Sequence, residues 1–217
     1  MGARVAWIFS GGDPPSPSAI AGLPVPDMIV AADSGVEHAL ALGCSVDVVV
    51  GDLDSADPAA LDAAVTAGAN LERHPVAKEA TDLELAFVTA RVHGCGQVVV
   101  IGGHGGRLDH LLGNALLLAS PDFADLQVEA RMGEADVVVV HDAAELHGRV
   151  GDVCSLVPVG GPAAGVRTRG LRFPLHGEVL HPGSTRGVSN ELLEPVAHVA
   201  LEHGVLLAVL PNARKAS

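Results

Sequence analysis

Short apolar runs alternate with longer amphipathic stretches over the first half of the chain. Five runs predict β-strands: Arg4–Phe9, Met28–Ala32, Val46–Val50, Asn70–Arg73 and Gln97–Ile101. The stretches between them predict helices: Gly35–Leu42, Pro58–Ala67, Asp82–Val92 and Leu108–Ala119. Strands that alternate with helices are typical of crossover units on a parallel sheet. We therefore predict an α/β domain with a mostly parallel, Rossmann-like sheet.

The rhythm changes after Pro121, where short apolar runs are separated by glycine, proline and charged turns instead of long helices. These runs are Gln127–Met132, Val137–Val140, Val153–Val157 and Val205–Leu210. Between the last two, Pro158–Arg169 is rich in glycine and alanine and predicts a loop. The pattern favours a C-terminal antiparallel β-sandwich. We place the domain boundary between residues 121 and 126, which gives domains 1–123 and 124–217.

Composition narrows the class of protein. The chain has 217 residues, 48% of them hydrophobic, enough for one compact unit or two small ones. A formal net charge of −13 argues against a nucleic-acid partner. Three widely spaced cysteines fit neither a disulfide framework nor a CxxC metal site, and no apolar run approaches the roughly 20 residues of a membrane helix. We expect a cytoplasmic protein that does not enter the membrane.

Polar or glycine-rich turns follow four of the predicted strands. They are Ser10–Gly12, Asp33–Gly35, Gly51–Ser55 and Gly102–Arg107. In open α/β sheets the carboxyl ends of the strands face one crevice. The sequence therefore predicts a site at this edge of the sheet before any function is assumed.

Carboxylates are concentrated in two of the candidate segments. Asp52 and Asp54 follow an apolar strand, and their hard oxygen ligands favour Mg²⁺ over Zn²⁺. Aspartates that terminate a turn or cap a helix would give the same pattern. Further along, Thr81 and Glu84 form a predicted capping box, which leaves Asp82 unexplained.

Two basic side chains accompany these carboxylates. Lys78 is either a solvated loop lysine or a phosphate ligand. The glycine-rich turn before Leu108 ends in Arg107 and is followed by Asp109 and His110, a composition suited to phosphate at a helix N-terminus. It matches neither a P-loop nor a GxGxxG motif. A plain glycine turn with an aspartate cap is the structural alternative. Similarly, the polar turn Gly187–Glu191 reads either as a strand connection or as part of a binding site.

Taken in order, these segments resemble the thiamine pyrophosphokinase (thiamine diphosphokinase) family. The resemblance rests on Ala32–Gly35, Val50–Ser55, Lys78–Asp82, Gly105–His110, Gly170–Leu175 and Gly187–Asn190. The last two are similar to the family's Gly-Leu-x-Tyr-Pro-Leu and Gly-Thr-Ser-Asn motifs. Glu79, Phe173 and Val188 depart from the family's usual Asp, Tyr and Thr, which bears on substrate fit more than on catalysis.

The resemblance implies transfer of the pyrophosphoryl group of ATP to the hydroxyl of thiamine, giving thiamine diphosphate and AMP. It implies an ATP- and Mg²⁺-binding N-terminal domain, a thiamine-binding C-terminal domain, and a homodimer whose substrate site lies between subunits.

The resemblance also implies a role for each matched residue. The metal ligands would be Asp52, Asp54 and Asp82. Lys78 and Arg107 would neutralise charge on the transferred group, which with the metal ligands completes the catalytic set. The nucleotide side would comprise Asp33, Ser55, Thr81, Gly105, Gly106, Arg107, Asp109 and His110. Ser189 and Asn190 would contact thiamine.

Two other functions remain open on the sequence. The same diphosphokinase chemistry could act on a hydroxymethyl-pterin, another heteroaromatic alcohol. Alternatively, the chain could bind nucleotide or thiamine without turnover, although binding alone would not require so many metal and phosphate ligands.

Overall fold

The computed structural model describes residues 2–75 and 80–214. These residues form two compact units. The first comprises the chain up to Leu117 together with Asp125–Gly133, and the second comprises Leu118–Ala124 and the chain from Glu134 onward. In the described part of the chain, no helix has the length and apolar character needed to cross a membrane.

The first unit is built on a parallel sheet. Its strands are β1 (Arg4–Ser10), β2 (Met28–Ala32), β3 (Val48–Gly51), β4 (Asn70–Arg73), β5 (Cys95–Gly102) and β6 (Gln127–Met132). Their spatial order is β4-β3-β2-β1-β5-β6, and each neighbouring pair is parallel. The helices are α1 (Gly35–Ala41), α2 (Pro58–Thr66), α3 (Asp82–Val92) and α4 (Leu108–Leu118), with a short 3-10 turn at Pro17–Ala19. The predicted α/β class is confirmed.

Strand β6 does not belong with the antiparallel strands, where the sequence interpretation had placed it. It pairs parallel with β5, from Gln97↔Gln127 to Ile101↔Arg131. The reason is the helix α4, which separates β5 from β6 and serves as one more crossover connection. The first compact unit therefore extends past the predicted boundary between residues 121 and 126.

The second unit consists of antiparallel strands, as predicted. After a 3-10 turn at Pro121–Phe123 come β7 (Ala135–Val140), β8 (Ala143–His147), β9 (Val153–Arg169), β10 (His176–Leu180), β11 (Asn190–Glu191), β12 (Val196–Ala200) and β13 (His203–Leu210). Strand β9 pairs with β10, β11, β12 and β13, while β13 also pairs with β7 and β12 with β8. Leucine side chains dominate the core, including Leu146, Leu156, Leu180, Leu192 and Leu206 at 0% exposure.

The loop predicted over Pro158–Arg169 is wrong, because β9 continues through it. Gly160 and Gly165 adopt positive φ angles of 73° and 69° within this strand. The pairing with β13 shifts register in the same region, between His203 and Val205. Glycines at such irregularities allow the strand to bend without ending, so glycine content alone was a misleading signal for a loop.

Gly35 brings α1 close to the end of β1. A Cβ atom built at this position would lie 2.2 Å from the carbonyl oxygen of Phe9. That oxygen belongs to a fully buried strand residue and has little room to move. Glycine, which has no Cβ atom, is therefore required at position 35 for α1 to pack against the sheet.

We predict that Gly35→Ala lowers the free energy of unfolding by about 1–3 kcal/mol, the usual cost of forcing extra atoms into a packed core. Gly113→Ala is the matched control, because a Cβ there meets nothing within 4 Å on helix α4. That control should be neutral or stabilising by up to about 1 kcal/mol. Urea denaturation compares the two variants, and a Gly35→Ala protein as stable as the wild type would contradict the packing argument.

Candidate active site

Three aspartates meet at the carboxyl edge of the parallel sheet. Asp33 follows β2, Asp52 follows β3, and Asp82 is the first residue of α3. One carboxylate oxygen from each lies within 4.8 Å of the others. Asp33 is 9% exposed, and the other two are partly buried. We refer to Asp33, Asp52 and Asp82 as the carboxylate triad.

The backbone conformation of two residues allows the triad to converge. Asp33 adopts a left-handed φ of 48°, and its N–H donates to the carbonyl of Val50 at 2.9 Å. Gly51 has a φ of 146°, and a Cβ built there would lie 2.8 Å from Asp82 Oδ1 and 3.3 Å from Asp33 Cβ. A side chain at position 51 would occupy the space in which the carboxylates approach one another.

Burial makes the ionised form of Asp33 costly. Burial raises the pKa of Asp33, and the nearby Asp82 and Asp52 charges add to the increase. Hydrogen bonds from the backbone of Ser34 and the side chain of Ser55 act in the opposite direction. Asp33 Oδ1 is buried and has no hydrogen-bond partner among the described residues. Three hard oxygen donors, one of them without a hydrogen-bond partner, fit a divalent cation such as Mg²⁺.

The structure brings together two of the three predicted metal ligands. Asp52 and Asp82 lie in the triad, where Asp33 is the third member. Asp54 is exposed, and its links are local: its N–H donates to Asp52 Oδ1 at 3.3 Å and its Oδ1 accepts from Ser55 Oγ at 3.0 Å. The sequence predicts that Asp52 and Asp54 approach one cation because they are two residues apart. Leu53, which lies between them, adopts a left-handed φ of 61°, and only Asp52 lies in the triad.

Thr81 has the predicted capping role at the start of α3. Its hydroxyl oxygen accepts a hydrogen bond from the N–H of Glu84 at 3.2 Å. This contact fixes the first turn of the helix and with it the position of Asp82. Lys78 and Glu79 lie outside the described residues.

The glycine-rich turn after β5 presents an ion pair. Gly105 and Gly106 adopt left-handed φ angles of 79° and 59°, and a Cβ at Gly105 would collide with the carboxylate of Asp13. Arg107 donates from Nε to Asp109 Oδ1 at 3.1 Å and from Nη2 to Asp109 Oδ2 at 2.5 Å. This pairing holds the pKa of Asp109 at about 2, so its carboxylate is ionised at neutral pH.

Both members of this pair, and the neighbouring His110, are exposed. The guanidinium of Arg107 is therefore already oriented by a carboxylate and still accessible. Asp13 was not identified as a site residue in the sequence analysis. In the sequence, Asp13 is distinguished only by its position directly after the glycines that follow β1.

The second unit contains a cavity of about 380 Å³. Its wall combines the exposed side chains of Phe173 and Val188 with Arg186 and the predicted substrate ligands Ser189 and Asn190. The sequence thus predicted two of its residues, but not Arg186, for which nearness to the Gly187–Asn190 motif was the available signal.

Asn190 is 3% exposed and holds the backbone beside the cavity. Its Oδ1 accepts from the N–H groups of Phe173 at 3.0 Å and Glu191 at 2.9 Å, and its Nδ2 donates to the carbonyl of Phe173 at 2.8 Å. These bonds hold Phe173 in the cavity wall. Ser189 is exposed and has a left-handed φ of 57°.

An α/β unit with a carboxylate triad and an exposed arginine in a glycine-rich turn defines a class. Metal-dependent phosphoryl-transfer enzymes combine these features, because charge neutralisation and positioning provide most of their catalysis.

Comparison with known families specifies this class further. Residues 25–130 match the family description "Thiamin pyrophosphokinase, catalytic domain", and residues 141–206 match "Thiamin pyrophosphokinase, vitamin B1 binding domain". The chain belongs to the thiamin pyrophosphokinase family.

Individual relatives agree with this membership. The chain is 25% identical over 174 residues to thiamine pyrophosphokinase 1 of rice, a match that covers 75% of this chain and 65% of the rice protein. Among solved structures, thiamine pyrophosphokinase from Bacillus subtilis matches with a TM-score of 0.83 at 21% identity, covering 95% of this chain and 98% of that one. The enzyme from Geobacillus thermodenitrificans matches with a TM-score of 0.79 at 24% identity, covering 95% and 96%. These structures show that the fold is shared.

The triad makes a prediction about stability. Because the folded state raises the pKa of Asp33, ionisation of this group destabilises the protein as the pH rises through that raised value. In EDTA at neutral pH, Asp33→Asn should therefore unfold at a temperature roughly 2–4 °C higher than the wild type. Mg²⁺ or Mn²⁺ should stabilise the wild type and have little effect on the variant.

Asp54→Asn is the control, since Asp54 lies outside the triad. Its melting temperature should respond to metal as the wild type does. An Asp33→Asn protein that is less stable in EDTA, or that keeps the full metal response, would contradict the assignment of Asp33 to a cation site.

Proposed function

We propose that the protein is a thiamine diphosphokinase, which transfers the pyrophosphoryl group of ATP to the hydroxyl of thiamine. One observation carries the proposal. The triad and Arg107 lie in the stretch that matches the catalytic-domain description, and the cavity beside Asn190 lies in the stretch that matches the vitamin B1 binding description. The first unit would accordingly serve ATP and the second unit thiamine.

In the proposed reaction, the thiamine hydroxyl oxygen forms a bond to the β-phosphorus of ATP. The bond from that phosphorus to the oxygen bridging to the α-phosphate breaks, AMP leaves with this oxygen, and the hydroxyl proton is released. Such transfers depend on in-line positioning and charge stabilisation, with little covalent chemistry from the protein.

Asp33, Asp52 and Asp82 would hold Mg²⁺, and the exposed Asp54 would at most join when nucleotide is bound. When present, Mg²⁺ neutralises charge on the phosphates and helps to orient them. The three carboxylates would supply oxygen ligands in fixed positions, because Gly51 and the cap at Thr81 hold the backbone around them.

Arg107 and Lys78 would neutralise the charge on the transferred group. Asp109 acts through Arg107, since its two hydrogen bonds orient the guanidinium before substrate binds. The N–H groups of Gly105 and Gly106 would donate to phosphate oxygens, with Ser55, Thr81 and His110 as further contacts on the nucleotide side.

Ser189 would contact thiamine directly. The hydrogen bonds of Asn190 to the Phe173 backbone support a different role for this residue, in which it fixes the aromatic wall on which a heteroaromatic ring can pack.

We further propose a homodimer, in keeping with the family resemblance. Helix α4 exposes Leu108, Leu112 and Leu116 by 68%, 56% and 59%. A spacing of four residues places these side chains in one stripe along the helix. A second copy of the chain would bury this stripe.

Product analysis tests the proposed reaction. Purified protein with ATP, Mg²⁺ and thiamine should form AMP and a compound with the mass of thiamine diphosphate. ADP with thiamine monophosphate would place the attack at the γ-phosphorus and contradict the mechanism. If a hydroxymethyl-pterin is converted and thiamine is not, thiamine is not the acceptor. If ATP binds but no AMP forms, the protein is not a diphosphokinase.

Matched triad variants belong in the same assay. Asp52→Asn should lower turnover at saturating Mg²⁺ by roughly 100-fold or more, because it removes charge stabilisation of the transition state. Asp54→Asn should retain most of the activity, since Asp54 lies outside the triad. Near-normal turnover of Asp52→Asn would refute its role as a metal ligand.

Light scattering tests the dimer. The wild type should have twice the 22.0 kDa mass of the chain, and Leu112→Glu should shift the protein towards monomer because the charge disrupts an apolar interface. Val92→Glu is the control, as Val92 is 77% exposed at the end of a different helix. A Leu112→Glu protein that remains fully dimeric would show that the stripe is not the interface.

A further inference from the structure

The cavity of the second unit has one charged side chain in its wall. Of the described residues that line it, only Arg186 is ionisable, and the others are apolar, glycine, hydroxyl or amide groups. An unneutralised guanidinium at this position would attract anions and repel cations. The thiazolium ring of thiamine carries a permanent positive charge. Whether the charge of Arg186 is neutralised therefore affects how strongly the cavity binds the proposed acceptor.

Glu178 on strand β10 neutralises this guanidinium. Arg186 donates from Nε to Glu178 Oε2 and from Nη2 to Glu178 Oε1, both at 2.9 Å. Two parallel bonds of this kind fix the plane of the guanidinium as well as its charge. The hydrogen bonds to Arg186 lower the pKa of Glu178, so the carboxylate is ionised at neutral pH.

A second arginine, next in sequence to the cavity residue Phe173, also pairs with a glutamate, through a single hydrogen bond. The guanidinium carbon of Arg172 lies 5.8 Å from the centre of the Phe173 ring, and Nη1 of Arg172 lies 2.9 Å from Glu191 Oε2. Arg186 and Arg172 are therefore each paired with a glutamate. Of these two pairs, only the one with Glu178 neutralises a residue of the wall itself.

Building on the proposed function, we infer that Glu178 is a positioning residue that sets the charge specificity of the acceptor cavity. By holding and neutralising Arg186, it makes the cavity suited to a cationic heteroaromatic alcohol and poorly suited to an anionic one. Glu178 acts through Arg186 and takes no part in the transfer itself.

Glu178→Gln tests this inference, because the amide keeps the size of the side chain and removes its charge. The KM for thiamine should rise about three- to tenfold, a moderate effect because the pair is partly solvated. The kcat should stay within about twofold. The increase in KM should become smaller at high salt, because dissolved ions screen the uncompensated charge of Arg186.

Two further variants distinguish an effect of charge from an effect of altered structure. Glu202→Gln removes the carboxylate of another exposed arginine pair, Arg167–Glu202, and should leave both constants unchanged. The double variant Glu178→Gln with Arg186→Gln should return the KM for thiamine close to the wild-type value, since the uncompensated charge is gone.

These experiments distinguish failure of the role proposed for Glu178 from failure of the proposed thiamine diphosphokinase activity. Wild-type turnover with an unchanged KM in Glu178→Gln would overturn the role of Glu178 alone. A raised KM that the double variant does not rescue would also overturn it, because the effect would then be structural. If the wild type neither converts thiamine nor binds it in a calorimetric titration, the proposed function and this inference both fail.

Discussion

The convergence of two further carboxylates on the buried Asp33 is the constraint on which the carboxyl edge of the first unit depends. Asp33, Asp52 and Asp82 each come from a different element, yet their oxygen atoms lie within 4.8 Å of one another. The unusual backbone at Asp33 and Gly51 allows this arrangement. Burial raises the pKa of Asp33 and makes the arrangement more costly. A structure that maintains such a cost is well explained by a cation that relieves it.

Local sequence patterns predicted most of the parallel sheet, because each strand is a short apolar run with a turn at its end. They failed where long-range pairing decides the outcome. Strand β6 reads like an antiparallel strand but pairs with β5 across the helix α4. The segment Pro158–Arg169 has the composition of a loop, yet pairing with the distant strands β12 and β13, together with the neighbouring β10, holds it extended. Neither the order of strands in a sheet nor tolerance of glycine within a strand is a local property.

The candidate sites show the same division. Spacing drew attention to Asp52 and Asp54, and the family resemblance added Asp82; the structure places Asp52 and Asp82 with Asp33 in the triad, while the role of Asp54 as a metal ligand stays a prediction. In the second unit, the motif ending in Asn190 marked the cavity, while the hydrogen bonds of its side chain go to the backbone of Phe173. A motif therefore identified the place of each site, and only the three-dimensional arrangement separated the residues facing a ligand from those supporting them.

Anomalous diffraction from crystals grown with Mn²⁺ and a non-hydrolysable ATP analogue tests the central claim most directly. We predict a manganese peak with bonds of about 2.1 Å to carboxylate oxygens of the triad, Asp33 included. A peak coordinated by Asp54 without Asp33, or the absence of manganese from the triad in crystals that contain bound nucleotide, would contradict it.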